Sequence, residues 1–196
     1  MKRSICVLSL LLMSSCGVSG GPSLLQQASE ALKPTDGTVT VSGDEHGCAL
    51  FASGDVKCWG GSQYGQLGQG DMASRGDEPG EMGAALPFID LGTGVKAKLI
   101  DAGRDYTCAL TTDNRLKCWG RNQYGQLGAI NGSNYGDQPN TMGDNLPFVD
   151  FGASRTVSKM SIGANHACVI LDDQSIKCWG RNQYGQLGYG DTNSRG

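Results

Sequence analysis

The sequence is poor in the residues on which most catalysis depends. It has only two histidines in 196 residues, His46 and His166. It shows no Ser/His/Asp set, no metal-ligand cluster and no phosphate-cradling glycine loop, so no catalytic residue and no cofactor is expected. Charged side chains make up 18% of the chain and leave a formal charge of −3, with no basic run beyond Lys2-Arg3. Phosphate binding is driven largely by Lys and Arg, so a nucleic-acid partner is not expected. The apolar stretch at residues 5–13 falls well short of the roughly 20 residues that a membrane-spanning helix needs. Proline is scarce too, at 6 residues, whereas glycine reaches 31. Glycine at that level without a collagen period implies many tight turns, which suits short strands better than long helices.

Residues 1–16 read as a targeting segment. Lys2 and Arg3 supply a positive start, residues 5–13 are apolar but too short to span a bilayer, and small residues lead into Cys16. This resembles a bacterial lipoprotein signal, in which Cys16 would be acylated and would tether the protein to the cell envelope. The usual Leu, Val or Ile three places before the cysteine is Met13 here. Ordinary cleavage near Gly20 is the alternative. Without the leader, 14 basic side chains face 19 acidic ones, a charge of −5. Residues 17–36 form a tether: Ser23 precedes Leu24, Leu25, Ala28, Ala31 and Leu32 at helical spacing, closed by Lys33-Pro34. A helix that short is marginal in water, so it either docks or stays unfolded.

From residue 37 the sequence repeats itself. Cys58-Trp59-Gly60 recurs as Cys118-Trp119-Gly120 and Cys178-Trp179-Gly180. KCWGGSQYGQLG at 57–68 becomes KCWGRNQYGQLG at 117–128 and again at 177–188. Between them lie GDEPGEMGAALPFIDLG at 76–92 and GDQPNTMGDNLPFVDFG at 136–152. The repeats are thus 37–96, 97–156 and an incomplete 157–196. Within the middle repeat, 98–101, 107–110, 116–119 and 146–151 read as short strands, with a turn at 112–114. Four such antiparallel strands make a β-propeller blade, which is stable only when stacked on neighbours. The expected fold is therefore all-β, an incomplete propeller of four-stranded blades.

The pattern G-x-x-H-x-C-A-L, a turn, then K-C-W-G-x-N-x-Y-G-Q-L-G resembles the repeat of the regulator of chromosome condensation family, in particular its bacterial alpha-tubulin suppressor-like branch. The resemblance covers about 37–196. It implies a ring of seven blades, hence further repeats beyond Gly196, or closure by self-association if the chain ends there. It also raises guanine-nucleotide exchange on a small GTPase, the role of the eukaryotic namesake. The leader and the paired cysteines argue against carrying that activity over on fold alone.

Six cysteines fall into pairs ten positions apart: Cys48 with Cys58, Cys108 with Cys118, and Cys168 with Cys178. Each pair flanks a turn at Ser53, Asp113 or Asp173. In a hairpin centred there, the two cysteines sit opposite each other with Cβ atoms roughly 4.5–5.5 Å apart, close to disulfide geometry. One cross-strand disulfide per repeat is expected, since zinc favours closer spacing and an exported chain favours disulfides. His46 and His166 occupy one repeat position that holds Tyr106 in the middle copy, which suits packing better than catalysis. The recurrent Trp59, Trp119 and Trp179, with Tyr64, Tyr124 and Tyr184, are read as blade packing rather than a sugar platform. Asp71, Asp77, Asp137 and Asp191 are read as turn formers rather than calcium ligands.

Specificity is expected where the copies diverge, in 69–75, 129–135 and 189–195. Met72, Arg75, Ile130, Tyr135, Tyr189 and Arg195 are the candidate partner-binding side chains. The alternative is that these loops vary because nothing constrains them. The expected function is an exported or membrane-tethered scaffold that binds a protein or glycan. The alternatives are an exchange-factor-like regulator and an accessory module of a larger enzyme.

Overall fold

A computed structural model describes residues 38–128, 132–152 and 155–196. Cys16, the 23–32 segment and Ile130 lie outside the described residues. Nine strands form three antiparallel sheets, each with its strands in chain order. The first sheet holds β1 (Val39–Ser42), β2 (His46–Leu50) and β3 (Val56–Gly60). The second holds β4 (Ala97–Ala102), β5 (Tyr106–Thr111) and β6 (Leu116–Gly120). The third holds β7 (Val157–Ile162), β8 (His166–Leu171) and β9 (Ile176–Gly180).

The fold is all-β and propeller-like, but each sheet has three strands, not four. The expected fourth strand, 146–151, and its counterpart at 86–91 run beside the outer strand with a single backbone bond in each blade. Ile89 N–H donates to Val56 and Val149 N–H donates to Leu116, both at 2.8 Å. Two features stop a ladder from forming. Pro87 and Pro147 have no amide to donate. Asp90 and Asp150 then accept the amides of Gly92 and Gly152, turning the chain away from the sheet. The segment still packs inward through Leu86, Ile89, Leu91 and Leu146, all buried.

The hairpins between the second and third strands set the register. Their turns carry a left-handed residue at one repeat position: Gly54 (φ 81°), Asn114 (φ 64°) and Gln174 (φ 67°). Glycine and asparagine tolerate this conformation well, whereas glutamine is an unusual occupant. The turns place Cys48 opposite Cys58, Cys108 opposite Cys118 and Cys168 opposite Cys178.

The hydrophobic core lies between blades rather than inside one. Leu50, Val56, Leu67 and Ile89 of the first blade bury against Ile100, Ala109, Trp119 and Leu146 of the second. Tyr106, Leu110, Leu116 and Leu127 of the second bury against Val157, Val169, Leu171 and Trp179 of the third. Alternation along each strand therefore sends one face to the preceding blade and the other to the following one. A backbone stair joins the inner ends: Asp44 N–H donates to Arg104, and Arg104 N–H to Ala164.

Candidate functional site

All three disulfides form, with sulfur–sulfur distances of 2.07, 2.10 and 2.09 Å. The first two are buried between blades, and the third lies on a partly exposed face. Trp119 and Trp179 pack at the two joints, each of which is also pinned by a hydrogen bond, whereas Trp59 lies half-buried against Gly47 of its own blade. Trp119 Nε1 donates to the Gln66 carbonyl at 3.0 Å and Trp179 Nε1 to the Gln126 carbonyl at 2.9 Å. The YGQLG segment of one blade thus receives the tryptophan of the next. Its tyrosines lie under arginines, with Arg121 4.5 Å above Tyr64 and Arg181 5.4 Å above Tyr124.

The His/Tyr position also faces the next blade. His46 Nε2 lies 2.9 Å from Thr107 Oγ1, whereas the Tyr106 hydroxyl donates to the carbonyls of Gly163 and His166. Burial lowers the His46 pKa to about 4, against the pull of Asp105 and Asp44. Burial likewise raises the Tyr106 phenol. Neither group is arranged as a nucleophile and base; both belong to joints.

A buried cation escaped the sequence reading. Lys117 is 2% exposed, and its ammonium donates to the carbonyls of Leu91 and Gly143 at 2.7 and 2.9 Å. It also lies 4.6 Å from the centre of the Phe148 ring. Burial pushes its pKa down. Only the recurrence of lysine before each Cys-Trp-Gly could have signalled it.

The divergent loops return to the blade through backbone bridges at Gly60–Arg75, Gly120–Tyr135 and Gly180–Arg195. Three of the candidate side chains are held in place, two by ion pairs within their own loops and one by packing. Arg75 and Arg195 reach back to Asp71 and Asp191 at 2.7 and 2.6 Å, and Tyr135 packs against both inter-blade cores. The Arg195 pairing holds the Asp191 carboxyl near 2, well below its ordinary value. The other two described candidates face solvent, Met72 at 61% and Tyr189 at 46%. The Tyr189 hydroxyl bonds the backbone of Cys178, leaving part of the ring free. The described candidates thus lie on loops that return at one repeat position of three successive blades.

A cleft of about 530 Å³ opens beside the first loop, between the first and second blades. Gln69 and Gly70 of that loop line it, together with Phe88, Asp90, Asn140 and Asp144. Phe88 is 51% exposed there, and the amide and hydroxyl of Thr93 hold the Asp144 carboxyl below its usual range.

These joints are built from the residues by which the chain is recognised. A model of the regulator of chromosome condensation (RCC1) repeat matches residues 38–66, 97–126 and 157–186, and a second model of that repeat matches 113–170. The chain belongs to the RCC1 repeat family. It is 32% identical over 168 residues to the ultraviolet-B receptor UVR8 of Arabidopsis thaliana, covering 84% of this chain and 34% of the receptor. It is 29% identical over 147 residues to the human probable E3 ubiquitin-protein ligase HERC4, covering 75% of this chain and 12% of the ligase. The chain thus spans about a third or less of the relatives it matches. Among solved structures, Prp20p from Saccharomyces cerevisiae superposes with a TM-score of 0.60 at 18% identity, over 80% of this chain and 36% of Prp20p. Human WBSCR16 superposes at 0.58 and 19% identity, over 81% of this chain and 38% of that protein. These RCC1 likenesses establish a partial β-propeller.

Proposed function

We propose that this RCC1 repeat chain is a binding scaffold, with no catalysis of its own in the described blades, whose rim loops contact a protein. One observation carries the reading. The joints are built alike from blade to blade, by tryptophan-to-carbonyl bonds and cross-strand disulfides. The loops returning through Arg75, Tyr135 and Arg195 change at the positions of Gln69, Met72 and Ala73 in every copy, although the first and third share Gly-Asp and Ser-Arg, and they leave Met72 and Tyr189 exposed. Constant framework with variable exposed loops is how repeat proteins display contacts. Protein binding also accords with the relatives, since Prp20p is described by its binding to Gsp1p and histones. An exported, envelope-tethered location through Cys16 is part of this reading, supported by the leader and by three disulfides of the kind found in oxidising compartments.

The test places a photo-crosslinking residue at 72 or 189 and, as a control, at Lys159. A partner captured at the two loop positions and not at the control supports the reading. Met72→Asp should then abolish capture with an unchanged melting temperature. Capture and stability lost together would reject it.

A further inference from the structure

Phe88 and Phe148 hold the same repeat position, yet their rings keep different company. Phe148 carries two cations: the guanidinium carbon of Arg115 lies 3.6 Å from its centre and the Lys117 ammonium 4.6 Å. Among the described residues Phe88 carries only one, the Lys57 ammonium at 4.5 Å. A single exchange accounts for the difference. Asp55 stands where Arg115 stands in the next repeat, and it turns away to pair with Lys96. Phe51 meets the Phe88 ring edge to face at 5.6 Å, but Phe88 stays 51% exposed.

Phe88 lines the cleft of about 530 Å³ between the first two blades. The walls of that cleft are tied together: Gly70 N–H donates to the Gly136 carbonyl and Gly143 N–H to the Asp90 carbonyl, both at 3.0 Å. Among the described residues no lysine or arginine lines it, whereas Asp90 and Asp144 do. The Asp144 carboxylate accepts from the Thr93 amide and hydroxyl. Asp90 Oδ1 accepts the Gly92 amide. No described residue donates to Asp90 Oδ2, which sits where a side chain at Gly143 would begin. Lys117 is 2% exposed and holds the Leu91 and Gly143 carbonyls, so its charge stays inside the joint.

We propose that this cleft seats an arginine of a protein partner, its guanidinium stacked on Phe88 and paired with Asp90. The second blade shows that one phenylalanine at this position accommodates two cations. The cleft adds carboxylates that no cation of its own lining offsets. Arginine suits the place better than lysine, because a planar guanidinium stacks on a ring and pairs with a carboxylate at once. Where this chain seats a cation on Tyr64, Tyr124 or Tyr189, that cation is likewise arginine. The inference rests on the scaffold reading but not on Met72 or Tyr189, so the two are tested apart.

The experiment titrates the oxidised full chain, its phenylalanine rings ¹³C-labelled, with an acetylated, amidated tetra-arginine peptide. The chain has 4 phenylalanines, so the ring signals are few and Phe148 serves as internal control. Saturable shifts at Phe88 are expected while Phe148 stays still. Tetralysine should bind at least threefold more weakly, and tetracitrulline, the neutral isostere, should not saturate. Phe88→Leu keeps an apolar side chain without the ring, and Asp90→Asn keeps an oxygen for the Gly92 amide without the charge. Each should weaken binding at least fivefold while keeping a dispersed, folded spectrum. Three results would overturn the proposal. One is a shift reproduced by sodium chloride at equal ionic strength or by tetracitrulline. Another is equal saturation by methyl glucoside, which would make the cleft a sugar site. The third is binding that survives both substitutions. Failure here with crosslinking intact at 72 and 189 rejects this site alone.

Discussion

His46 Nε2 sits 2.9 Å from the hydroxyl of Thr107, across the joint between the first two blades. At the next joint the same two positions hold Tyr106 and Ala167, and the tyrosine hydroxyl reaches the Gly163 and His166 carbonyls instead. The larger ring faces the smaller partner, so one packing problem is solved twice with different hydrogen bonds.

That joint makes stability depend on pH. Burial lowers the His46 pKa from 6.5 to about 4, so the unfolded chain binds a proton more readily than the folded one between those values. The stabilisation is fully present above pH 6.5 and is lost progressively as pH falls toward 4, on the order of 2–3 kcal/mol. Denaturant midpoints between pH 7 and pH 4 should show the fall. The double substitution His46→Tyr with Thr107→Ala, which copies the second joint, should remove this histidine's share of it. A pH profile unchanged by the double substitution would exclude His46 as the cause.

The two tryptophan bonds should not be equivalent. The Gln66 carbonyl accepts from Trp119 and also from the Thr107 hydroxyl at 3.1 Å, so Trp119→Phe leaves it with a partner. At the Gln126 carbonyl, alanine at 167 offers no hydroxyl. Beyond the size change common to both, Trp179→Phe should cost roughly 1–2 kcal/mol more, read as a difference in unfolding free energy.

Lys117 stabilises the fold by serving two buried carbonyls. Lys117→Met keeps the apolar stem but strands the Leu91 carbonyl, whereas the Gly143 carbonyl keeps the Leu146 amide, and it should cost roughly 1–3 kcal/mol in a denaturant titration. At the partly exposed equivalent Lys57, which serves only the Gly83 carbonyl, Lys57→Met should cost about 1 kcal/mol.

The disulfides should yield to reductant in an order set by access. Cys48, Cys58 and Cys108 are 0% exposed and Cys118 is 3% exposed, whereas Cys168 and Cys178 lie on the partly exposed face of the third blade. Mild reduction followed by alkylation and peptide mapping should label Cys168 and Cys178 first. Replacing Cys48 and Cys58 together by alanine should lower stability by roughly 2–3 kcal/mol, because a short loop in the unfolded chain is no longer closed.

Repetition made the all-β class, the three tandem units and the cysteine partners legible. A 60-residue period and a ten-residue cysteine offset are local facts, and a hairpin turn converts the offset directly into opposite positions. The fourth strand was over-read: hydrophobic spacing in 146–151 signals burial, but it does not register that Pro147 lacks a donor and that Asp150 turns the chain at Gly152. The divergent loops were legible as loops. Their side chains were not, because Arg75 and Arg195 fold back onto aspartates four residues earlier while Met72 does not.

By itself the sequence determined what recurs: strand periodicity, turn residues and the spacing of Cys, Trp and Gly act within one repeat and need no neighbour. Tertiary structure alone decided what each recurrent residue meets. Thr107 beside His46, the Gln66 carbonyl beneath Trp119 and the Leu91 carbonyl at Lys117 all lie in the neighbouring repeat. They become neighbours only when blades stack, since a single sheet cannot bury both its faces. For that reason copies that look nearly identical in sequence differ in charge, hydrogen bonding and exposure once packed.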